Sequence, residues 1–432
     1  MTIDITPADA LISTPRHIVI SGYEPNSIVV VDARTERAHG AWSSRNYYLT
    51  DLDGVVDLNE TAPVWGDGDA KGYDTPLWSQ SPEEGVANGS FSPSPETPLV
   101  TELTVSTLQG DSETATLTQR FLADGVVRTD LDGDITAHLY TPAGPGPYPT
   151  VLLLNGSDGG FSDHKAALYA SVGIQTLTLA YFNAPGLSPW ISETHIEYFE
   201  KGFDYLHSLG TALNDRVIVS GQSRGGELTL LLASLLPDKV FGAVAYTPGA
   251  FVHSAQTSKA PEADWKDPAW IWHGEPLQNL FHDNPYVEGN PFLHNVPRYE
   301  DHNGRNTVFI DAQRSVEHVT RARIPVENIN GPVLLVSGTN DKVWPASFAS
   351  RYVKNQLEAA GHPYEVKHLD YVGAGHSIGL PTVPRVLVSA HPVSGTVSYS
   401  GGTALGNALA SDDAFDRTVD FIYRAALTPA VA

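Results

Sequence analysis

The sequence predicts a small all-β sandwich followed by a doubly wound α/β domain with a mostly parallel sheet, and three observations carry that prediction. Short β-branched strands broken by Gly, Pro, Asp and Asn fill the first part of the chain. After about Gly125, near-continuous apolar runs alternate with helical stretches. Within that alternation, Val217-Ile-Val-Ser-Gly-Gln-Ser-Arg-Gly-Gly-Glu-Leu-Thr-Leu-Leu-Leu-Ala-Ser-Leu-Leu236 reads as a strand, a glycine-flanked serine and an apolar helix. A chain of 432 residues exceeds one ordinary core, so two domains are expected, over 1–125 and 126–432.

In the first part, His17-Ile-Val-Ile-Ser-Gly-Tyr, Ser27-Ile-Val-Val-Val-Asp-Ala and Pro98-Leu-Val-Thr-Glu-Leu-Thr-Val are the strand candidates. Ser79 to Pro98, rich in Ser, Pro and Gly, reads as a long exposed loop. In the second part the strands are Pro149-Thr-Val-Leu-Leu-Leu-Asn, Gly173-Ile-Gln-Thr-Leu-Thr-Leu-Ala, Arg216-Val-Ile-Val-Ser, Phe241-Gly-Ala-Val-Ala-Tyr and Pro332-Val-Leu-Leu-Val-Ser. Runs apolar at nearly every position suit strands buried on both faces of a parallel sheet. Helices are expected from Asp163 to Ser171, Thr194 to Leu209, Glu227 to Leu236 and Ala346 to Ala360.

The alternation stops between Phe251 and Val326, a cap-like insertion over about 252–326 that holds Trp265, Trp270, Trp272, Phe281, Tyr286, Phe292 and Tyr299. Two readings stand side by side. The aromatics form a lid on a substrate pocket, with Trp270, Trp272, Phe281 and Tyr286 as binding residues, or they pack an irregular insertion. His253, His273, His282, His294 and His302 also lie here, in no zinc-like spacing, so no metal and no cofactor are expected.

Composition excludes several classes of function. Cysteine is absent, which rules out a thiol nucleophile, a disulfide and a cysteine-ligated metal. Fifty Asp and Glu against 26 Lys and Arg give a formal charge of −24, a field that repels nucleic acid, anionic lipid and coenzyme A alike. No apolar run is long enough to span a membrane. The segment Met1-Thr-Ile-Asp-Ile-Thr-Pro has neither a basic stretch nor an apolar core, so a cytoplasmic protein is expected, with oligomerisation left open.

The glycine-flanked serine is the chemical signal. Ser223 must sit on a tight strand-to-helix turn for its hydroxyl to stand clear of the sheet, and Gly221 and Gly225 remove side chains that would collide with neighbouring backbone. A serine hydroxyl is a weak nucleophile and needs an imidazole base, itself held by a carboxylate. In α/β-hydrolases acid and then histidine follow the serine. Asp341, in the loop after Pro332-Val-Leu-Leu-Val-Ser-Gly-Thr-Asn, is the expected acid, and Asp370 is the reserve. His376, in Gly373-Ala-Gly-His after the last strand, is the expected base, whereas His368 sits within that strand and reads as structural. The oxyanion donors expected are the backbone N–H of Arg224 and that of Ser157 or Gly156 in the loop Leu154-Asn-Gly-Ser-Asp-Gly-Gly. The Arg224 side chain reads as a contact to an anionic substrate group or as a solvated or helix-pairing arginine. Glu227 suits the first turn of a helix whatever the function.

These motifs resemble those of the acyl-CoA thioesterases and bile acid-CoA:amino acid N-acyltransferases. Carrying the likeness are Gly221-Gln-Ser-Arg-Gly-Gly-Glu-Leu, Ile324-Pro-Val-Glu-Asn-Ile-Asn-Gly-Pro-Val-Leu-Leu-Val-Ser-Gly, Trp344, Gly373-Ala-Gly-His and Gly401-Gly-Thr-Ala-Leu-Gly-Asn-Ala-Leu-Ala. Ala41-Trp-Ser-Ser, Gly54-Val-Val-Asp-Leu and Asp74-Thr-Pro-Leu-Trp-Ser match in the first part. The resemblance implies an immunoglobulin-like sandwich before an α/β-hydrolase domain, with Ser223, His376 and Asp341 at the triad positions. It also implies a small-molecule acyl thioester or ester substrate, CoA- or carrier-linked or neither. Transferases of the family typically carry cysteine where Ser223 stands, so serine favours hydrolysis over transfer to an alcohol or amine. A non-catalytic binding protein is the reading from a different class, and the intact Ser, His and Asp set speaks against it.

Overall fold

The computed structural model describes residues 1–86, 89, 91–256, 265–288, 290, 292, 304–384, 387–391, 393, 395 and 397–429. The chain divides into two compact units. One comprises Met1–Ala123, Gly379–Val386 and Thr403–Asp413, and the other Asp124–Ile378, Leu387–Gly402 and Ala414–Ala432.

The first unit is built from two sheets. The smaller pairs Thr2–Thr6 with His17–Ser21 and that strand with Val56–Asp57, all antiparallel. The larger runs Asp9–Leu11, Ser112–Arg120, Leu99–Thr107, Ile28–Arg37, Gly40–Leu49 and Trp65–Gly66, with Ser81–Pro82 on the Gly40–Leu49 strand. Period-two alternation turns Val29, Val31, Ala33, Leu103, Val105 and Leu117 inward, where they share one core with Ile18, Ile20 and Val56 of the smaller sheet. The expected exposed loop from Ser79 is only partly so. The Gln80 side chain is buried, accepting from Arg37 Nη2 at 2.8 Å and donating to Thr35 Oγ1 at 2.9 Å.

The second unit carries an eight-stranded sheet. Its elements in chain order are β1 (Val127–Asp132), β2 (Thr136–Thr141), β3 (Tyr148–Leu154), α1 (Asp163–Ser171), β4 (Gln175–Ala180), α2 (Ile196–Ser208), β5 (Ala212–Gln222), α3 (Arg224–Leu235), β6 (Ala243–Tyr246), β7 (Val333–Gly338), α4 (Ala346–Ala359), β8 (Val366–Tyr371) and, from Ala414 on, the second part of helix α5 (Ala404–Leu427). The strands lie in the order β1-β2-β4-β3-β5-β6-β7-β8. β2 runs antiparallel to both its neighbours, and every other pairing is parallel.

β3, β4, β6 and β7 are buried along their whole length, as their largely apolar sequences suggest, with Thr150, Gln175, Thr176, Thr178 and Ser337 the buried polar members. The antiparallel edge gives no such signal, because β1 is almost wholly exposed and rich in Arg and Asp. α3 starts at Arg224, earlier than the apolar pattern indicates, since β5 continues to Gln222 and one residue makes the turn. Within the insertion, Trp270–Trp272 pairs with Glu275–Pro276 and with Thr194–His195, which precedes α2, and short helices Gly304–Ala312 and Val316–Ala322 follow. Tyr299, His294 and His302 lie outside the described residues. Among the described residues no helix is long and apolar enough to cross a membrane.

Candidate active site

The serine turn is as tight as its glycines demand. Ser223 has φ 59° and ψ −120°, a strained backbone for a residue with a side chain. A Cβ on Gly221 would lie 2.3 Å from the Gly225 carbonyl oxygen, and one on Gly225 would lie 2.4 Å from that of Asn155. Gly226 is a third such position, 2.5 Å from the Tyr246 oxygen. The Ser223 N–H donates to the same Tyr246 oxygen at 2.9 Å, pinning the turn to the end of β6.

Three loops beyond the carboxyl ends of β5, β7 and β8 bring Ser223, Asp341 and His376 together. His376 Nδ1 lies 2.7 Å from Asp341 Oδ2, and His376 Nε2 lies 2.9 Å from Ser223 Oγ. The other carboxylate oxygen, Oδ1, accepts the N–H groups of Val343 at 2.9 Å and Trp344 at 3.2 Å. Asp341 is thereby held as an acceptor, so His376 Nδ1 carries the proton and Nε2 presents a lone pair to the serine hydroxyl. The base loop is gripped as firmly. The His376 N–H donates to the Ser400 carbonyl at 2.8 Å, and the His376 carbonyl accepts from Gln222 Nε2 at 3.2 Å. Asp370, the reserve acid, is elsewhere, bonded to Ser337, Ser347 and Arg351.

Of the oxyanion donors, the Gly156 N–H is engaged by its neighbour's side chain, Asn155 Oδ1, at 2.9 Å. It is therefore set aside in favour of Ser157, whose N–H has no acceptor among the described residues. Gly156 serves close approach instead, because a Cβ there would be 2.9 Å from the Gln222 oxygen and 3.4 Å from Ser223 Cβ. The Arg224 N–H is in the first turn of α3, where no intrahelical acceptor exists.

The Arg224 side chain is not solvated: it is 2 % exposed. Its Nη1 meets Glu227 Oε2 at 3.1 Å, and its Nη2 donates to the Ser254 carbonyl at 3.1 Å. Glu227 is fully buried and also receives the His253 N–H at 3.1 Å and His253 Nδ1 at 2.7 Å. Burial pushes its carboxyl up, but Arg224 and the His253 contacts more than offset this and hold it below the ordinary carboxylate range. These groups anchor the first turn of α3 from behind.

With this geometry in place, the comparison with known sequences is decisive. The C-terminal pattern of the BAAT/acyl-CoA thioester hydrolases matches residues 194–428, and their N-terminal region matches residues 13–133. The chain belongs to this family. Acyl-coenzyme A thioesterase 1 of Homo sapiens is 28% identical over 423 residues, covering 95% of this chain and 93% of the relative. Acyl-coenzyme A amino acid N-acyltransferase 1 of Mus musculus is 26% identical, covering 94% and 93%. Among solved structures, an esterase of Pyrobaculum calidifontis is 13% identical, with a TM-score of 0.42 over 70% of this chain and 86% of that one.

In this member of the BAAT/acyl-CoA thioester hydrolase family the four insertion aromatics expected at a binding site lie in different surroundings. Trp270 and Phe281 have no exposed surface. Trp270 packs on Tyr181 and Phe199, and Phe281 on Trp265, Phe292 and Phe309. Trp272 stacks on His273, and Tyr286 lies under Arg314 at the surface. Trp270 and Phe281 are thus interior to the insertion, whereas Trp272 is partly buried and Tyr286 exposed. The nearby cavity is walled by Phe251, His253, Phe309 and Trp344 instead. The Trp344 ring lies 6.1 Å from that of His376, and its Nε1–H donates to the Thr247 carbonyl at 2.8 Å.

The sequence does not show that two of its glycine motifs pack on each other. A Cβ on Gly375 would lie 2.3 Å from the Gly401 carbonyl, so the two glycines let the base loop and residues 400–402 pack backbone to backbone. The doublet Gly401-Gly402 was the available signal.

Proposed function

We propose that the protein is a serine hydrolase that cleaves an acyl thioester or ester through an acyl-enzyme. The observation that carries this reading is the hydrogen-bonded chain from Asp341 through His376 to Ser223 Oγ, at 2.7 and 2.9 Å, on a strained strand-to-helix turn. In the first half-reaction the Ser223 oxygen attacks the acyl carbon as its proton passes to His376 Nε2. The negative charge on the carbonyl oxygen is received by the N–H groups of Arg224 and Ser157. The leaving thiolate or alkoxide takes the proton from His376, whose positive charge Asp341 stabilises meanwhile. Water, deprotonated by His376, then releases the acid and restores Ser223.

The same unit's strand order β1-β2-β4-β3-β5-β6-β7-β8, with the serine after β5, supports an α/β-hydrolase fold. The two facing sheets of the first unit support an immunoglobulin-like sandwich. Serine as nucleophile favours water as the acceptor, since an acyl-serine is a poorer donor to amines than an acyl-cysteine.

The test is incubation of the protein and of a Ser223→Ala variant with a fluorophosphonate probe, followed by adduct mass. An adduct on the parent alone is expected. Turnover of CoA thioesters, simple esters and lactones then identifies the leaving group. A folded parent that takes no adduct sinks the reading.

A further inference from the structure

Ser400 gives its carbonyl to His376, and His391, shortly before it in the chain, reaches the oxyanion loop. His391 Nε2 lies 2.8 Å from Ser157 Oγ. The imidazole's tautomer is set locally, because the Val393 N–H donates to His391 Nδ1 at 3.2 Å. Nδ1 is thus the acceptor and Nε2 carries the proton. It follows that Nε2–H donates and the Ser157 hydroxyl oxygen accepts. Asp158 Oδ1, at 3.4 Å from the same nitrogen, is the longer contact and its carboxylate is 60% exposed. The proton of the Ser157 hydroxyl has no acceptor among the described residues, and its side chain is half-buried beside Gly156, which leans on Ser223.

We propose that the Ser157 hydroxyl is a further oxyanion donor and that His391 is its positioning residue. The inference rests on the acyl-serine reading above. As the carbonyl oxygen gains charge, the Ser157 O–H donates to it while the oxygen of that hydroxyl receives the His391 Nε2–H. A hydroxyl that accepts a hydrogen bond is polarised into a better donor. Left unheld, the hydroxyl would rotate and that donor would be lost for part of each encounter. No proton is transferred between these groups; both hydrogen bonds strengthen and relax with the charge.

The experiment measures kcat and KM for p-nitrophenyl butyrate with the full-length parent, Ser157→Ala, His391→Ala, His391→Gln and the double Ala variant. Alanine at 157 keeps the backbone N–H, so its loss reports the hydroxyl alone. Removal of one oxyanion donor costs about 10²-fold in kcat in comparable sites. Ser157→Ala is therefore expected to lose about 10- to 100-fold in kcat with KM unchanged. His391→Ala should lose a similar factor, and the double variant no more than the larger single loss. His391→Gln, whose amide N–H can hold the same hydroxyl oxygen, should recover most of the rate.

Additive losses, a loss confined to KM, or a Gln variant as slow as the Ala one would overturn the proposal. Fluorophosphonate labelling of each protein separates the two levels of inference. Adducts on all of them with unchanged kcat remove only the Ser157–His391 role. No adduct on the parent removes the hydrolase reading and this one with it.

Discussion

Two groupings of serine, histidine and aspartate in the second unit are built from the same side chains and differ in the direction of their hydrogen bonds. Ser223, His376 and Asp341 sit on loops beyond the carboxyl ends of β5, β8 and β7. Ser337, His368 and Asp370 sit inside β7 and β8, where Ser337 and Asp370 are register partners and His368 is paired with Leu335. In the second grouping Ser337 Oγ donates to Asp370 Oδ1 at 2.9 Å, so His368 Nε2, 2.7 Å away, must donate to Ser337. That is the reverse of what a general base does. In the first grouping Asp341 takes the Nδ1 proton and leaves Nε2 to accept. Which atom the carboxylate touches decides whether the imidazole can take a proton from serine. Ser337 is also wholly buried on a regular strand, with no turn to lift its hydroxyl toward a substrate.

The sharpest way to break this contrast is to remove each serine. Ser223→Ala should lower turnover by about 10⁴-fold or more. Ser337→Ala should leave kcat unchanged and lower stability by about 1–3 kcal/mol, since it strands buried partners of the hydroxyl. Steady-state kinetics with thermal melts distinguish the two, and a rate loss in Ser337→Ala would end the distinction drawn here. The carboxylates sharpen it next. Asp341→Asn is expected to cost up to about 10⁴-fold in kcat, because an amide can donate to Nδ1 and stabilise the wrong tautomer. Asp370→Asn should change the melting temperature and not the rate.

The first grouping was legible in the sequence and the second was not, for physical reasons. Ser223 and Asp341 follow strongly apolar strands and His376 lies among glycines after the last strand, so period and turn chemistry put all three at one edge of the sheet. His368 read as structural for lying within a strand, but no local signal says that Ser337 and Asp370 face each other across β7 and β8, since register is a tertiary fact. The Arg224–Glu227–His253 cluster was hidden for a similar reason. Arg and Glu three residues apart on a helix look like a solvated pair until His253 and Ser254, from a remote loop, close over them. The aromatic insertion left two readings open. Its density of rings comes from packing around Phe281 and Trp270, which periodicity cannot separate from a pocket lining.

Behind the first serine, the buried cluster should matter more for stability than for chemistry. Glu227→Gln leaves the Arg224 guanidinium buried without its counter-charge and is expected to cost about 3–5 kcal/mol. The pH dependence follows from the lowered carboxyl of Glu227. Its contribution is complete above the ordinary value of 4.5 and fades as pH falls through the lower folded value, where the carboxylate is protonated. Denaturant titrations from neutral pH into the acid range should show the parent losing stability there, and Glu227→Gln showing a flatter acid limb. Equal slopes for the two proteins would mean that Glu227 is not ionised in the fold.

The smallest expected effect tests the second grouping directly. Burial lowers the His368 imidazole below its ordinary value of 6.5, against the raising influence of Asp370 and together with the lowering influence of Arg351 and Lys354. The unfolded chain therefore takes up this proton at a higher pH than the folded one does. Between the two values the unfolded state binds more protons, so the contribution of His368 is complete above 6.5 and declines as pH falls toward the folded value. Nuclear magnetic resonance titration of the ring should find it neutral at the pH of the activity assays, and melts between about pH 7.5 and 5.5 should fall less steeply for His368→Gln than for the parent. A ring titrating at or above 6.5 would mean that the charge of Asp370, 3.9 Å away, outweighs burial. His368 would then be an imidazolium paired with a carboxylate, still donating to Ser337 and still unable to take its proton.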